Sequence, residues 1–515
     1  MSNGFSRLLC RALIFLEYIL ETVSVDRMFL REVMQNKKYL LKLFSIAAAG
    51  ISLSLSLLAA SAPAPILPIP NSNQMVWQQR EQYMFLHFGV NTFTDREWGE
   101  GTESPSVFNP SDFNAKQWAK AAKDAGFKML ILTAKHHDGF CLWPSAYTEH
   151  SVKNSPWKNG KGDVVKEVSE ACKEVGLDFG VYLSPWDRNS QFYGDSPKYN
   201  EYYKNQLREL LTQYGKISMV WWDGACGEGP NGKRQEYDWD AYLKIVRELA
   251  PDAVIFSDRG DVRWVGNEDG LAQETCWSLY DPSSVSIGGG TQKQMGEGNP
   301  AGDEWAPAEC DVSIRPGWFY HRKEDSKVKT LSHLLDIYYR SVGHNCCLHL
   351  NVPPDRRGLL HENDVARLKE FNHAIKENFK TNLAAGKQCT ASAVRGNSAQ
   401  FFAKNVADAN RKTYWSADDG QTQATIEIDL GNPTTFDLVL LQEYIELGQR
   451  ISGYHLDAWD AGTSEWKDIA KGTTIGYKWI LRVPETTTQK VRLVIESARA
   501  CPTLSSFELY KSSYK

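Results

Sequence analysis

The chain has 515 residues, with 58 Lys or Arg against 63 Asp or Glu. The resulting net charge of −5 offers no electrostatic footprint for nucleic acid, so no nucleic-acid partner is expected. With 42% hydrophobic residues, this length suits two or three domains and a sizeable core. The 17 Trp, 22 Tyr and 21 Phe would suit either flat platforms for sugars or a large packed core, and composition does not choose between them.

The first 70 residues do not read as part of a fold. Residues 34–64 read as a signal peptide, with Lys37 and Lys38, then an apolar stretch, then the small residues of "AASAPAP". A membrane anchor is the competing reading, since 43–62 is just long enough to span. The serines, the small-residue end and the proline-rich "APAPILPIP" favour cleavage near Ser61–Ala64, leaving no stable membrane span. Residues 1–33 then lie upstream of a complete signal, and Met34 is the expected start. An exported protein is expected, whether periplasmic, cell-surface or extracellular. Ten cysteines, Cys10 in the leader region among them, lack metal-ligand spacing and do not form a disulfide framework. Cys346 and Cys347 sit within an apolar run and read as buried rather than bridged.

Over 65–380 short apolar runs alternate with amphipathic stretches. In chain order they are a strand at 83–90, a helix at 115–126, a strand at 127–137 and a helix at 163–176 with Asp163 as N-cap. A strand follows at 177–187, a helix at 201–215, a strand at 216–224, a helix at 239–251 and a strand at 252–260. A long irregular insertion precedes a helix at 331–343, a strand at 346–354 and a helix at 363–375. This α/β alternation implies a parallel sheet, and about eight units imply a (β/α)8 TIM-like barrel whose sixth and seventh units have no readable boundaries. From about 383 the texture changes to short segments that alternate apolar and polar residues between turns. Residues 381–515 therefore read as a C-terminal antiparallel β-sandwich.

In such barrels the functional groups come from the C-terminal ends of the strands. Here the strand ends carry His87; His136, His137 and Asp138; Tyr182, Trp186 and Asp187; Asp223; and Asp258 with Arg259. A metal site is not expected. No HExxH occurs, and adjacent His136 and His137 point to opposite faces of a regular strand. No GxSxG elbow and no phosphate-cradling loop is present. A carboxylate pair in an aromatic-rich pocket remains, and it points to glycoside hydrolysis. Asp223, which ends the apolar run "ISMVWWDG", is the natural nucleophile. Glu268, Glu274 and Glu309, all read as loop residues, are candidates for the second carboxyl, and spacing does not select among them.

The motifs "MFLHFGVNTFTDREWG", "LTAKHHDGFCLWPS", "VYLSPWDR", "VWWDGACG", "FSDRGDVRWVGNE", "PAECDVSIRPGWFYH" and "NVPPDRRG" together resemble the α-L-fucosidases of glycoside hydrolase family 29. They are most similar to the subfamily that removes α-1,3- and α-1,4-linked fucose, and the resemblance covers roughly residues 75–510. It implies a retaining exo-hydrolase acting on fucosylated oligosaccharides or glycoproteins. Asp223 then matches the nucleophile and Glu268 the acid/base, with Glu309 in reserve. By the same resemblance His87, His136 and His137 contact the fucose hydroxyls, a bulge or the strand end turning both adjacent rings inward. Glu97 and Trp98 form an acidic–aromatic pair at the sugar. Tyr182, Arg259 and Trp318 are further contacts, Arg259 lying near Asp223 and Trp318 walling the fucose methyl group. No cofactor is needed for this chemistry. The sandwich resembles discoidin-like (F5/8 type C) modules through "NVADANRKTYWSADDG" and "TIEIDLG", which brings an expectation of a structural calcium ion. Trp415 and Trp459 read as buried rather than as ligand platforms. The alternatives are a catalytically inactive, lectin-like carbohydrate binder and a related exo-glycosidase with another sugar preference.

Overall fold

A computed structural model describes residues 60–257, 259–284 and 290–515. The leader expected over 34–64 falls outside them except for 60–64, as do the upstream residues 1–33 and Asp258. Among the described residues no helix is long and apolar enough to cross a membrane.

Eight parallel strands build the first part: β1 Gln82–Leu86, β2 Met129–Lys135, β3 Asp178–Leu183, β4 Met219–Trp221, β5 Val254–Phe256, β6 Arg263–Trp264, β7 Ala308–Ser313 and β8 Cys347–Asn351. They pair in the order β5-β4-β3-β2-β1-β8-β7-β6. One parallel bridge, Phe256 to Val262, spans the seam between β5 and β6. The result is a nearly closed barrel, as the alternation predicts. The outer layer consists of α2 Ala115–Asp124, α3 Val164–Val175, α4 Ser196–Gln213, α5 Trp239–Leu249, α7 Leu331–Arg340 and α8 Glu362–Asn378. A short α6, Gln292–Glu297, belongs to the insertion after β6, and α1, Ser72–Arg80, precedes β1.

The helices form where local chemistry directs them. Asp163 accepts from the Lys166 N–H at 2.9 Å and starts α3. The same helix stops at Gly176, whose φ of +69° places it in the left-handed region that glycine adopts without cost. The two elements left unread have a physical explanation. Among the described residues no helix separates β5 from β6, and β6 is two residues long. Strand β7, "AECDVS", points Glu309 and Asp311 into the barrel while Cys310 and Val312 join the outer core, so its inward face is acidic rather than apolar. That pattern reads as a loop.

Inside the barrel lies an aromatic-rich cluster of Trp77, Tyr83, Phe85, Tyr182, Trp221 and Phe256 with Met129, Ile131 and Met219. Trp221 and Phe256 stack at 4.1 Å between centroids. Trp77 on α1 donates its indole N–H to the Tyr83 hydroxyl at 3.0 Å, which brings α1 into this core.

The second part is antiparallel throughout: β9 Gln388–Ala391, β10 Trp415–Ser416, β11 Ala424–Glu443, β12 Ile451–Asp460, β13 Glu465–Gly472, β14 Trp479–Ala498 and β15 Thr503–Tyr510. Their order is β10-β15-β11-β14-β12-β13, with β9 on β11. The 20-residue strands β11 and β14 shift register twice along their pairing, the signature of strands that bend from one face of a sandwich to the other. Trp415 is fully buried, with its indole N–H on the Ala393 carbonyl at 2.9 Å. Trp459 is half-buried, edge-to-face with Trp466. Cys346 and Cys347 are buried free thiols.

Barrel and sandwich belong to one compact unit, 62–515. Cys276, Cys310 and Cys346 of the barrel share a hydrophobic cluster with Trp415, Leu441 and Trp479 of the sandwich. Polar bonds cross the same boundary. Asn345 accepts from the Tyr477 N–H at 2.7 Å, and Gln449 accepts from the Ser278 N–H at 2.7 Å.

Candidate active site

A pocket opens at the C-terminal ends of the barrel strands. His87, Glu97, Trp98, His136, His137, Tyr182, Asp223, Glu268 and Trp318 all line it, joined by Phe85, Trp221, Ala225 and Asp311. Of the ten residues to which the resemblance gave a catalytic or sugar-binding role, with Glu309 only in reserve, nine thus share one cavity.

Asp223 lies two residues beyond β4. The Tyr182 hydroxyl donates to its Oδ2 at 2.9 Å and the Ala225 N–H to its Oδ1 at 2.7 Å. His137 Nε2 stands 3.7 Å from Oδ2. The adjacent histidines face the same pocket because β2 ends at Lys135 and both lie past the strand end, where the Gly139 N–H closes a turn on the His136 carbonyl at 3.0 Å. Their rings lie 4.1 Å apart.

Hydrogen bonds behind His87 and His137 set their tautomers. Asn351 Nδ2 donates to the Trp318 carbonyl at 2.8 Å, which turns its Oδ1 toward His87 Nδ1 at 2.9 Å. His87 Nδ1 must therefore carry the proton, leaving Nε2 as an acceptor. The Ser184 hydroxyl donates to the Trp186 carbonyl and so accepts from His137 Nδ1, and His137 Nε2 is likewise an acceptor. Burial, with nearby imidazoles, lowers the pKa of His87 to about 3 and holds His136 well below the ordinary range. Burial also lowers that of His137, against the pull of Asp223. All three are neutral groups suited to hydroxyls.

Glu268 follows β6 on the long insertion. Burial raises its pKa; the Trp318 indole N–H, 3.1 Å from Oε2, works against the shift, while Asp223, Asp269 and Glu97 add to it. Glu97 accepts from the Trp318 N–H at 2.7 Å and from the Phe319 N–H at 3.2 Å, so it fixes the loop that carries Trp318. His321 contacts Glu97 at 2.6 Å and Asp95 at 2.9 Å. Trp98, 53% exposed, stands at the lip, edge-on to His137 and Trp186.

Three sequence expectations need correction. Arg259 is exposed and does not line the pocket. Its turn folds back tightly, with the Gly260 N–H on the Ser257 carbonyl and the Asp261 N–H on the Ile255 carbonyl, which puts residue 259 at the tip. The groups on Asp223 are Tyr182, His137 and the Ala225 amide, not a guanidinium. Glu309 is on β7 rather than a loop and is fully buried. Its carboxylate accepts from Tyr83, from Trp221 Nε1 at 2.8 Å and faces His349 Nδ1 at 3.0 Å, beneath the pocket floor and out of reach of a glycosidic oxygen. Glu274 is exposed and likewise outside the pocket. Asp311 also lines the pocket and was not nominated from sequence; its signal was the period-2 acidic face of "AECDVS".

Among the described residues no cluster of three His, Cys, Asp or Glu side chains could hold a metal ion. A parallel barrel that presents two carboxyls and neutral histidines in an aromatic pocket at its C-terminal strand ends defines the glycoside hydrolase class. The alpha-L-fucosidase family model matches residues 60–379, and the F5/8 type C domain model matches 388–508. The chain belongs to the α-L-fucosidase family and is an α-L-fucosidase carrying an F5/8 type C domain. It is 48% identical over 452 residues to alpha-L-fucosidase 1 of Arabidopsis thaliana, covering 87% of this chain and 88% of that one. The fold is also similar to that of a GH29 fucosidase of Ruminococcus gnavus solved in complex with fucose, with a TM-score of 0.82, 38% identity, and coverage of 88% of this chain and 98% of that one. A crystal structure of SpGH29 is similar at a TM-score of 0.83 and 40% identity, over 88% of this chain and 100% of the other.

Proposed function

We propose that this enzyme is a retaining exo-α-L-fucosidase that releases α-1,3- and α-1,4-linked fucose from branched oligosaccharides and glycoproteins. The observation that carries the mechanism is a pair of carboxyls in one pocket with opposite surroundings. Asp223 is held by two donors, a hydroxyl and an amide N–H. Glu268 is pushed toward its neutral form by burial and by neighbouring carboxylates. In the first step Glu268 protonates the glycosidic oxygen while Asp223 attacks the anomeric carbon, and the aglycone leaves. In the second, Glu268 takes a proton from water, which displaces Asp223 and frees fucose. The neutral histidines accept from sugar hydroxyls, and Trp318 offers an apolar wall to the C5 methyl group. The linkage preference rests on the motif resemblance.

Asp223→Gly should lower turnover by at least about 1,000-fold, and azide should restore it with a fucosyl azide of inverted configuration as the product. Near-normal turnover without azide would remove Asp223 from the role. Fucose release from a Lewis-type trisaccharide but not from an α-1,2-fucosylated glycan would support the linkage reading, and the reverse would refute it.

Export is proposed on the 34–64 leader. The residues at its end and just beyond are tied to the sandwich, with Arg450 Nη2 on the Ala64 carbonyl at 2.6 Å and the Ile66 N–H on the Leu447 carbonyl at 3.0 Å. A calcium ion in the sandwich is proposed for the 408–413 loop, where Asp408, Asn410 and Thr413 gather carboxylate, carbonyl and hydroxyl oxygens, the hard donors calcium takes. A melting temperature unmoved by chelator would count against it.

A further inference from the structure

We propose that Asp311 is a substrate-binding residue of the fucose pocket, a neutral carboxylic acid that donates its O–H to a sugar oxygen between Asp223 and Glu268. This rests on the assignment of the pocket given above. Two adjoining hollows meet at the strand ends: one of about 80 Å³ beside the histidines, the other of about 230 Å³ extending toward Trp264 and Ser257. Asp223, Glu268 and Asp311 line both, so a sugar spanning the two catalytic carboxyls passes the third.

The surroundings of Asp311 favour its neutral form. The side chain is 4% exposed, and its Oδ1 accepts from the Trp264 indole N–H at 2.8 Å. Among the described residues no ion pair reaches it. Its electrostatic neighbours are carboxyls: Glu309 two positions earlier on β7, and Glu268 on the insertion. His349, opposite it on β8, is committed to Glu309. Arg263 on β6 turns its guanidinium to the carbonyls of Met295, Trp277 and Ala306. Asp223 approaches from β4. A buried carboxyl with one neutral donor, acidic neighbours and no cation is more stable protonated. Burial, then Glu268 and Glu309, accordingly push it well above the ordinary carboxyl range.

With Oδ1 engaged by Trp264, the proton lies on Oδ2 and needs an acceptor. Such donors are few in the site: of the three pocket histidines only His136, whose Nδ1 has no partner among the described residues, keeps an uncommitted N–H. His87 and His137 have spent their Nδ1 protons on Asn351 and Ser184 and offer sugar hydroxyls only lone pairs. A sugar hydroxyl that gives its proton to a histidine retains lone pairs of its own, and a carboxylic O–H can fill one of them.

The test compares Asp311→Asn with Asp311→Ala in the full chain, using fucose release from the Lewis-type trisaccharide and inhibition by free fucose. The amide keeps a donor in place of the O–H; the methyl group does not. Asp311→Asn should keep kcat/KM and the fucose inhibition constant within about threefold of the parent, and Asp311→Ala should worsen both by roughly 10- to 100-fold, the loss of one hydrogen bond that leaves a polar group unpaired. In Asp311→Asn the high-pH limb of kcat/KM should stay in place, because a neutral Asp311 contributes no charge to the titration of Glu268. A limb displaced to lower pH, an Asn variant as impaired as Ala, or an Ala variant that binds fucose normally would each overturn the proposal. If the Ala variant does not fold, the Asn variant's limb and fucose affinity decide. Azide rescue of Asp223→Gly reports separately on the catalytic assignment, so failure of that reading and failure of this one are distinguishable.

Discussion

Trp318 meets Glu268 through a single bond from its indole N–H to Oε2, and that bond favours the ionised carboxylate. The proposed acid must be protonated at the start, so kcat/KM should fall as pH rises through the raised pKa of Glu268. Trp318→Phe removes the N–H, raises that pKa further and should move the high-pH limb upward; a limb that stays or moves down would contradict the assignment. Glu268→Ala should cost far more activity on poor leaving groups than on activated aryl fucosides, because only the former need a proton donated. Equal losses on both would take the acid role from Glu268. At this scale sequence reading placed most of the pocket: His87, His136, His137, Tyr182 and Asp223 sit at or just past readable strands, and Glu97, Trp98, Glu268 and Trp318 came from the motif resemblance. It failed at Arg259, where a tight turn reversed the chain, and at Asp311, where an acidic inner face disguised a strand.

Single elements carry their own signals. Asp163 was legible as the N-cap of α3 because a capping carboxylate precedes an amphipathic run. The structure adds a second bond, from the Tyr214 hydroxyl to Asp163 Oδ2 at 3.0 Å, that joins α3 to the end of α4. Asp163→Ala should therefore lower stability by about 1–2 kcal/mol in denaturant titration, with kcat unchanged because the cap lies outside the pocket. The sequence left open whether a bulge or the strand end turns His136 and His137 inward, because periodicity does not mark the residue at which alternation stops. The structure ends β2 at Lys135, and the turn that follows brings His136 and His137 to one cavity.

At the scale of the molecule, barrel and sandwich share buried side chains. Leu438, Leu440, Ile480 and Tyr510 of the sandwich belong to the barrel's outer core, and Cys276, Cys310 and Cys346 of the barrel belong to the sandwich core. Two parts joined through a common core should unfold together, so scanning calorimetry should show one transition rather than two. Asn345 stands at this boundary, buried, with φ of +65°. Asn345→Ala removes its bonds to Cys276, Ser278 and Tyr477 and puts a Cβ-bearing residue without a local hydrogen bond in the left-handed region. The whole transition should shift by about 1–3 kcal/mol without splitting. Two separated transitions in either protein would show the interface to be passive.

Periodicity and motif chemistry by themselves determined the α/β barrel, the change to antiparallel strands near 383, the nucleophile candidate and the histidine set. All of these are local: an apolar alternation, a capping acid, a polar residue just past a strand. The tertiary structure decided which of three glutamates faces Asp223, which tautomer His87 and His137 carry, that Arg259 points to solvent and that Asp311 enters the pocket. Those outcomes depend on register, turn direction and the partners behind each side chain, and such contacts between distant residues exist only once the barrel has closed.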